Sequence, residues 1–337
     1  MKFALEKSLH LSSWKLQLLY DYEWKYTGPL FDAHTHMWNT THFEATIKEQ
    51  SHLGVKSQLI IAHTPEIRAF FETRYPEQFV FAKYLSTKHL IGMQIDPVLT
   101  EIKAMRKEGF SLAKMWAAPG WRNYLKDMSK DFHITDSRLT PVFQSLADEG
   151  FPLLLHVSDP DTYYATAYSN AKVFGTKEEH LYELETLIQR HPDLQFQLAH
   201  FAAQPEIHRL SHLAEWFDKY DNIVVDTASS RWMARELSKD PDAARKFLIR
   251  YSKRILFGTD GTLNASPTQD NDSVFSPYTA RLIAQRVLWE TNDKHVPLPF
   301  PDRDTAASGG TFINGLNLPK RVLTDLYWQN SQRLYAQ

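Results

Sequence analysis

Eight short apolar runs recur along the chain, and a helix-like stretch lies between most of them. The runs cover residues 31–36, 58–62, 79–85, 111–116, 152–157, 195–200, 222–227 and 254–258. They are nearly continuous in apolar residues, which suits strands buried on both faces. The segments 44–53, 66–74, 98–107, 140–148, 177–190, 207–219, 243–251 and 278–291 read as helices. Some carry their own punctuation. Thr64-Pro65-Glu66 gives an N-cap, a first-turn proline and an early carboxylate, and Asp96-Pro97 repeats the device. Gly109 and Gly150 stand where two helices should stop. Strands separated by helices predict parallel pairing, and eight such units predict closure. The expected fold is therefore α/β: a distorted (β/α)8 TIM barrel over residues 30–337, with residues 1–29 as an N-terminal extension packed on it. An open doubly wound sheet would place a glycine-rich loop after its first strand. Here the first run ends in His34-Thr35-His36, and the chain has only 12 glycines. The polar stretches 262–276 and 292–310 are long loops by ordinary standards. The first follows the last strand directly, and it either roofs a site or is a plain surface excursion.

Chemistry enters at the strand ends, where barrels of this kind gather function. In a strand, residues i and i+2 point to the same side, so His34 and His36 form a two-imidazole grip. Lys114 lies near the end of the fourth run, His156 and His200 end or nearly end the fifth and sixth, and Asp260 follows the eighth. Three imidazoles and one carboxylate suit zinc or a similar first-row metal with one position left for water. Coordination lowers the pKa of such a water toward neutrality. Asp260 then reads as ligand and proton acceptor, and His200 as a group that steadies a hydroxide or polarises a substrate. Asp32 reads as support beneath the ligands.

Lys114 has three open readings: a carboxylated bridge to a second ion, a cation for substrate or site, or structure. Arg231 either clamps a substrate carboxylate or pairs within the Arg235/Glu236 neighbourhood. Trp116, Trp121, Tyr163 and Tyr164 either line a ring-accepting pocket or pack loops. His63, His208 and His212 receive no functional role.

Composition narrows the partners. The net charge of −2 gives no strong pull toward nucleic acid or an anionic membrane. Cysteine is absent, so thiolate ligands and disulfides are excluded. Charges run through residues 1–28, and no apolar run reaches the ~18 residues of a membrane span. A soluble, cytoplasmic protein acting on a small molecule is expected.

The segments Phe31-Asp32-Ala33-His34-Thr35-His36, Leu155-His156, Leu198-Ala199-His200 and Ile255-Leu256-Phe257-Gly258-Thr259-Asp260, with Lys114 after Gly109-Phe110, resemble the amidohydrolase superfamily. The match is to its amidohydrolase-related, or amidohydrolase-2, branch of metal-dependent hydrolases and non-oxidative decarboxylases. The tail from Gly315 to Tyr335 is similar to that family's closing helix. The resemblance implies His34, His36, His156 and Asp260 as metal ligands. It implies His200 as catalytic in one-metal members and as a ligand in two-metal members. One zinc ion is the expectation, with a second if Lys114 is carboxylated. A homodimer is the family-like assembly, which nothing in the composition demands.

The expected activity is hydrolysis of an ester, lactone or amide by a metal-bound hydroxide. Decarboxylation of an aromatic or unsaturated acid is the alternative, and a non-catalytic metal-binding barrel is a second. The absence of a glutamate near Asp32, which decarboxylating relatives often carry, tilts the expectation toward hydrolysis.

Overall fold

The computed structural model describes residues 23–41, 43–75, 78–125, 132–263 and 277–335. Within them every predicted strand appears: β1 (Leu30–Met37), β2 (Val55–Ala62), β3 (Phe79–Tyr84), β4 (Leu112–Trp116), β5 (Leu153–His156), β6 (Phe196–Leu198), β7 (Ile223–Asp226) and β8 (Ile255–Leu256). The strand pairs that can be read residue by residue among these eight are parallel. Helices alternate with the strands, which is the (β/α)8 barrel class. A two-residue strand β9 (Gly261–Thr262) adds a distortion by pairing on β1. The chain divides into two compact units: residues 1–79 with 227–337, and residues 80–226.

In the unit 80–226, β4 pairs with β3 and β5, and β6 pairs with β5 and β7. Leu112, Ala113, Met115, Leu153, Leu154, Leu155, Phe196 and Leu198 are buried, as continuous apolar runs require. The helices Ile95–Ala104 and Thr140–Asp148 precede β4 and β5. Both are followed by a left-handed glycine, Gly109 at φ +71° and Gly150 at φ +70°. Phe110 N–H reaches Met105 O at 2.9 Å and Phe151 N–H reaches Leu146 O at 2.8 Å, the closing bond that such a glycine permits. Thr176 caps Lys177–Arg190 through a reciprocal bond pair with Glu179.

Two predicted caps differ. Thr64 holds the cap position of its helix without a side-chain bond to the helix backbone, and Asp96 lies inside the first turn of a helix that starts at Ile95. The sixth strand also ends earlier than expected. It stops at Leu198, and residues 200–203 take φ of 60°, 58°, 54° and 59°.

In the other unit, β1 has β2 on one side and β9 on the other. The register of β1 against β2 shifts between Asp32 and Thr35. Such an irregularity re-aims side chains locally, and His34 lies within it. The segment after β8 is stitched to β1. Ala33 N–H donates to Phe257 O at 2.7 Å, Asp260 N–H to His34 O at 2.9 Å, and Leu263 N–H to His36 O at 2.9 Å. The closing tail is Lys320–Thr324, a wider turn at Asp325–Gln329, and Asn330–Tyr335. It holds β8 in place, since Phe257 N–H donates to Leu326 O at 3.0 Å and Asn330 Nδ2 to Ile255 O at 2.6 Å.

Of the two expected long loops, 264–276 lies outside the described residues. The other, 292–310, contains β10 (Val296–Pro297) and a turn of helix at Arg303–Ser308, and β11 (Phe312–Ile313) just beyond it pairs antiparallel with β10. Residues 1–22 of the expected extension also lie outside the described residues. Its described end is bonded to the helix Pro277–Glu290: Tyr26 N–H donates to Glu290 Oε2 at 2.9 Å, and Arg286 donates to Tyr26 O.

Candidate metal centre

Asp32 sets the floor of the first cluster. It is fully buried and accepts four hydrogen bonds: from His34 N–H (3.1 Å), Thr259 N–H (3.0 Å), Thr259 Oγ1 (2.6 Å) and Tyr278 OH (2.9 Å). Burial pushes its pKa up to about 7, although those donors pull the other way. Tyr278 is pushed well above its usual value, first by burial and then by the neighbouring carboxylate, so it remains a neutral donor. Gln58 Nε2 donates to Tyr278 OH at 3.0 Å and fixes the phenol in turn. Gly261 is required beside this ring, because a Cβ there would stand 2.4 Å from Tyr278 Cδ2.

Above this floor His34, His36 and Asp260 converge. Asp260 Oδ1 lies 3.7 Å from His34 Nε2 and 3.3 Å from His36 Nε2. One donor atom from each residue lies within 4.8 Å of the other two. Asp260 adopts φ +56°, a left-handed conformation that aspartate tolerates better than most residues. The side chains are graded in exposure: 0% for His34, 16% for His36 and 30% for Asp260. Two imidazoles and a carboxylate at this spacing fit a divalent first-row cation with its open side at Asp260.

The unit 80–226 brings together a second set. The rings of His156 and His200 meet edge to face, with centroids 4.3 Å apart. His156 Nε2 is 3.0 Å from Asp159 Oδ1, and Tyr168 OH donates to Asp159 Oδ2 at 2.7 Å. Burial alone would raise the Asp159 carboxyl. The charge and hydrogen bond of His156, with the Tyr168 hydroxyl, outweigh it and hold the group below its ordinary value. His200 N–H donates to Asp226 Oδ1 at 2.8 Å, and Gln197 Nε2 donates to Asp226 Oδ2 at 2.9 Å. This tether anchors the left-handed turn at residues 200–203. Non-glycine residues in that region cost about 1–2 kcal/mol each, and such outliers cluster at functional sites. The expectation that His200 simply ends a strand is thus corrected: it is aimed by a strained turn.

Lys114 sits on β4 opposite Tyr84 and Leu154 and is 2% exposed. Trp116 ends β4, its ring centroid 6.2 Å from that of Tyr124. Trp121 is buried, in keeping with loop packing. Tyr163 lies in the helical turn Asp161–Tyr164, its ring 5.5 Å from that of Tyr168. Arg231 lies beside Asp302, Nε to Oδ1 3.7 Å, while Arg235 binds Glu236, Asp302 and Asp304. His212 Nδ1 donates to Gln204 Oε1 at 2.7 Å, which gives it a structural role.

Sequence reasoning missed Asp159, Asp226 and Tyr168, and it gave His63 no role. His36 Nδ1 is 2.9 Å from His63 Nε2. The only sequence signal for Asp159 was its place three residues after His156.

Among the described residues no helix is long and apolar enough to cross a membrane.

An amidohydrolase family model matches residues 119–337. No curated protein matches the chain. Among solved structures it is similar to 5-carboxyvanillate decarboxylase from Novosphingobium aromaticivorans, complexed with manganese and 4-hydroxy-3-methoxy-5-nitrobenzoic acid. Identity is 10%, TM-score 0.53, and 92% of this chain and 97% of that one are covered. A mutant of that decarboxylase with bound manganese gives 11%, 0.51, 92% and 98%. The 5-carboxyvanillate decarboxylase of Sphingomonas paucimobilis gives 11%, 0.51, 91% and 99%.

These matches overturn the expectation of a hydrolase acting on an ester, lactone or amide: the similar solved structures are decarboxylases. The tilt toward hydrolysis read from Asp32 has no support in the site, where its carboxyl accepts four hydrogen bonds from the protein beneath the ligands. Zinc in particular is not supported, since two of the similar structures contain manganese.

Proposed function

Because the chain belongs to the amidohydrolase family, we propose that it is a metal-dependent, non-oxidative decarboxylase of a small aromatic carboxylic acid. The observation that carries the reading is the convergence of His34, His36 and Asp260, in a fold similar to that of manganese-containing decarboxylases. His34, His36, His156 and Asp260 are assigned as ligands of one divalent cation. A bound cation would supply positive charge to hold a substrate oxygen. Asp260, the most open of its cluster, takes a proton from solvent and delivers it to the ring carbon that bears the carboxylate. The bond between that carbon and the carboxylate then breaks, its electron pair returns to the ring, and carbon dioxide leaves. His200, aimed by its tethered turn, hydrogen-bonds the substrate during the charge shift. Lys114 is assigned to the substrate anion, and Trp116 and Tyr163 to its ring.

The test is carbon dioxide release from a panel of hydroxy- and methoxybenzoates by manganese-loaded protein. At least one acid should be decarboxylated, and His34→Ala and His156→Ala should each lose both metal and turnover. Tight metal binding with no carbon dioxide from any acid would defeat the reading.

A further inference from the structure

His36 uses its two ring nitrogens in opposite directions. Nε2 lies 3.3 Å from Asp260 Oδ1, and Nδ1 lies 2.9 Å from His63 Nε2. The His63 ring is held in turn. Trp38 stacks on it with centroids 4.1 Å apart and planes 8° from parallel, and the His63 and His36 rings lie 25° from parallel with centroids 5.2 Å apart.

A neutral imidazole carries one N–H. For His36 Nε2 to offer its lone pair to a cation, the hydrogen must sit on Nδ1, and that N–H needs an acceptor. His63 Nε2 occupies the acceptor's place, which puts the hydrogen of His63 on its own Nδ1. Ligating histidines generally have such a partner, most often a carboxylate or a backbone carbonyl. Here the partner is a second imidazole, fixed in plane by a tryptophan that is itself 48% exposed.

We propose that His63 is a positioning residue for metal uptake. It holds His36 in the Nδ1–H form with Nε2 facing Asp260, and Trp38 is the platform that keeps His63 in plane. The inference rests on the reading of His36 as a metal ligand, and it does not depend on the reaction catalysed.

The test measures Mn2+ affinity by chelator competition in the full-length protein, comparing His63→Leu, His63→Gln and Trp38→Ala with the unaltered chain. His63→Leu should weaken binding by about 10- to 100-fold. His63→Gln, whose amide oxygen can accept the same hydrogen bond, should recover most of that loss. Trp38→Ala should fall between the two. Nitrogen-15 spectra of labelled histidine should show His36 protonated at Nδ1 in the unaltered protein and shifted toward Nε2–H in His63→Leu. Affinity of His63→Leu within twofold of the original, or no recovery with glutamine, would overturn the proposal. So would a His36 tautomer that ignores the substitution. Loss of Mn2+ affinity in His63→Leu alongside an absence of decarboxylation in every variant would sustain this proposal and sink the decarboxylase reading alone.

Discussion

Tyr278→Phe removes one oxygen atom from the floor of the metal cluster and leaves the ring in place. The hydroxyl donates to Asp32 Oδ2 at 2.9 Å and accepts from Gln58 Nε2 at 3.0 Å. Asp32 keeps three other donors, and Gln58 Nε2 keeps Gln50 Oε1 at 2.6 Å, so neither partner is left bare. A bond to a charged acceptor contributes about 1.5–3 kcal/mol and a neutral one about 1 kcal/mol. With the Asp32 carboxyl near its midpoint at neutral pH, the expected cost is about 2 kcal/mol. The 337 residues, at about 2.1 cal/mol/K each, give an unfolding entropy of about 0.7 kcal/mol/K. The melting midpoint should therefore drop by about 3 °C. Differential scanning calorimetry of both proteins without added metal reads this directly. Because His34 N–H shares the same carboxylate, Mn2+ affinity should also fall, measurably but by less than on removing a ligand. A shift under about 1 °C with unchanged affinity would show that the hydroxyl is dispensable and that the floor does not support the cluster.

Gly261→Ala sets a methyl 2.4 Å from Tyr278 Cδ2 and 2.9 Å from Thr259 Oγ1. With the ring fully buried, overpacking should cost about 1–3 kcal/mol in the same calorimetric assay. Removing bound metal by dialysis against EDTA should lower the midpoint, by about 2.7 kcal/mol of stability if the ion had been present at 100 times its Kd, and Mn2+ should restore it. Burial would raise the Asp161 carboxyl, but Lys177 and Arg209 overcome that and hold it below its ordinary value. Its contribution to stability is present above the unfolded pKa of about 3.9 and is lost as pH falls through the lower folded value. Acid unfolding of Asp161→Asn should accordingly show a flatter dependence on pH below about 4 than the unaltered chain.

The sequence exposes what depends on local pattern. Strand cores are apolar because both faces are buried, so eight runs sufficed to locate β1 to β8. Gly109 and Gly150 could be read as stops because a left-handed backbone strongly favours glycine. His34, His36 and Asp260 stood out because imidazole and carboxylate types are conspicuous at the ends of apolar runs. What stayed hidden depends on atoms brought together from distant points, or on conformations that leave no residue signature. Residues 200–203 are His, Phe, Ala and Ala, none of which advertises a left-handed turn. At its start Asp226 accepts from His200 N–H, across a separation of 26 residues. His63 had no visible purpose because its partner is 27 residues earlier.

The reaction type was hidden for a different reason. Two imidazoles and a carboxylate hold a cation equally well for an attacking water and for a departing carboxylate. The ligand set therefore constrains the ion far more tightly than the chemistry done beside it. Discrimination must come from the groups that meet the substrate. In the cluster of His34, His36 and Asp260, the graded exposure makes Asp260 the group that a substrate reaches first. A carboxyl that can carry a proton to carbon serves a lyase directly, so carbon dioxide release by the manganese-loaded protein that is lost in Asp260→Asn while Mn2+ stays bound, more than any ligand count, separates the two chemistries.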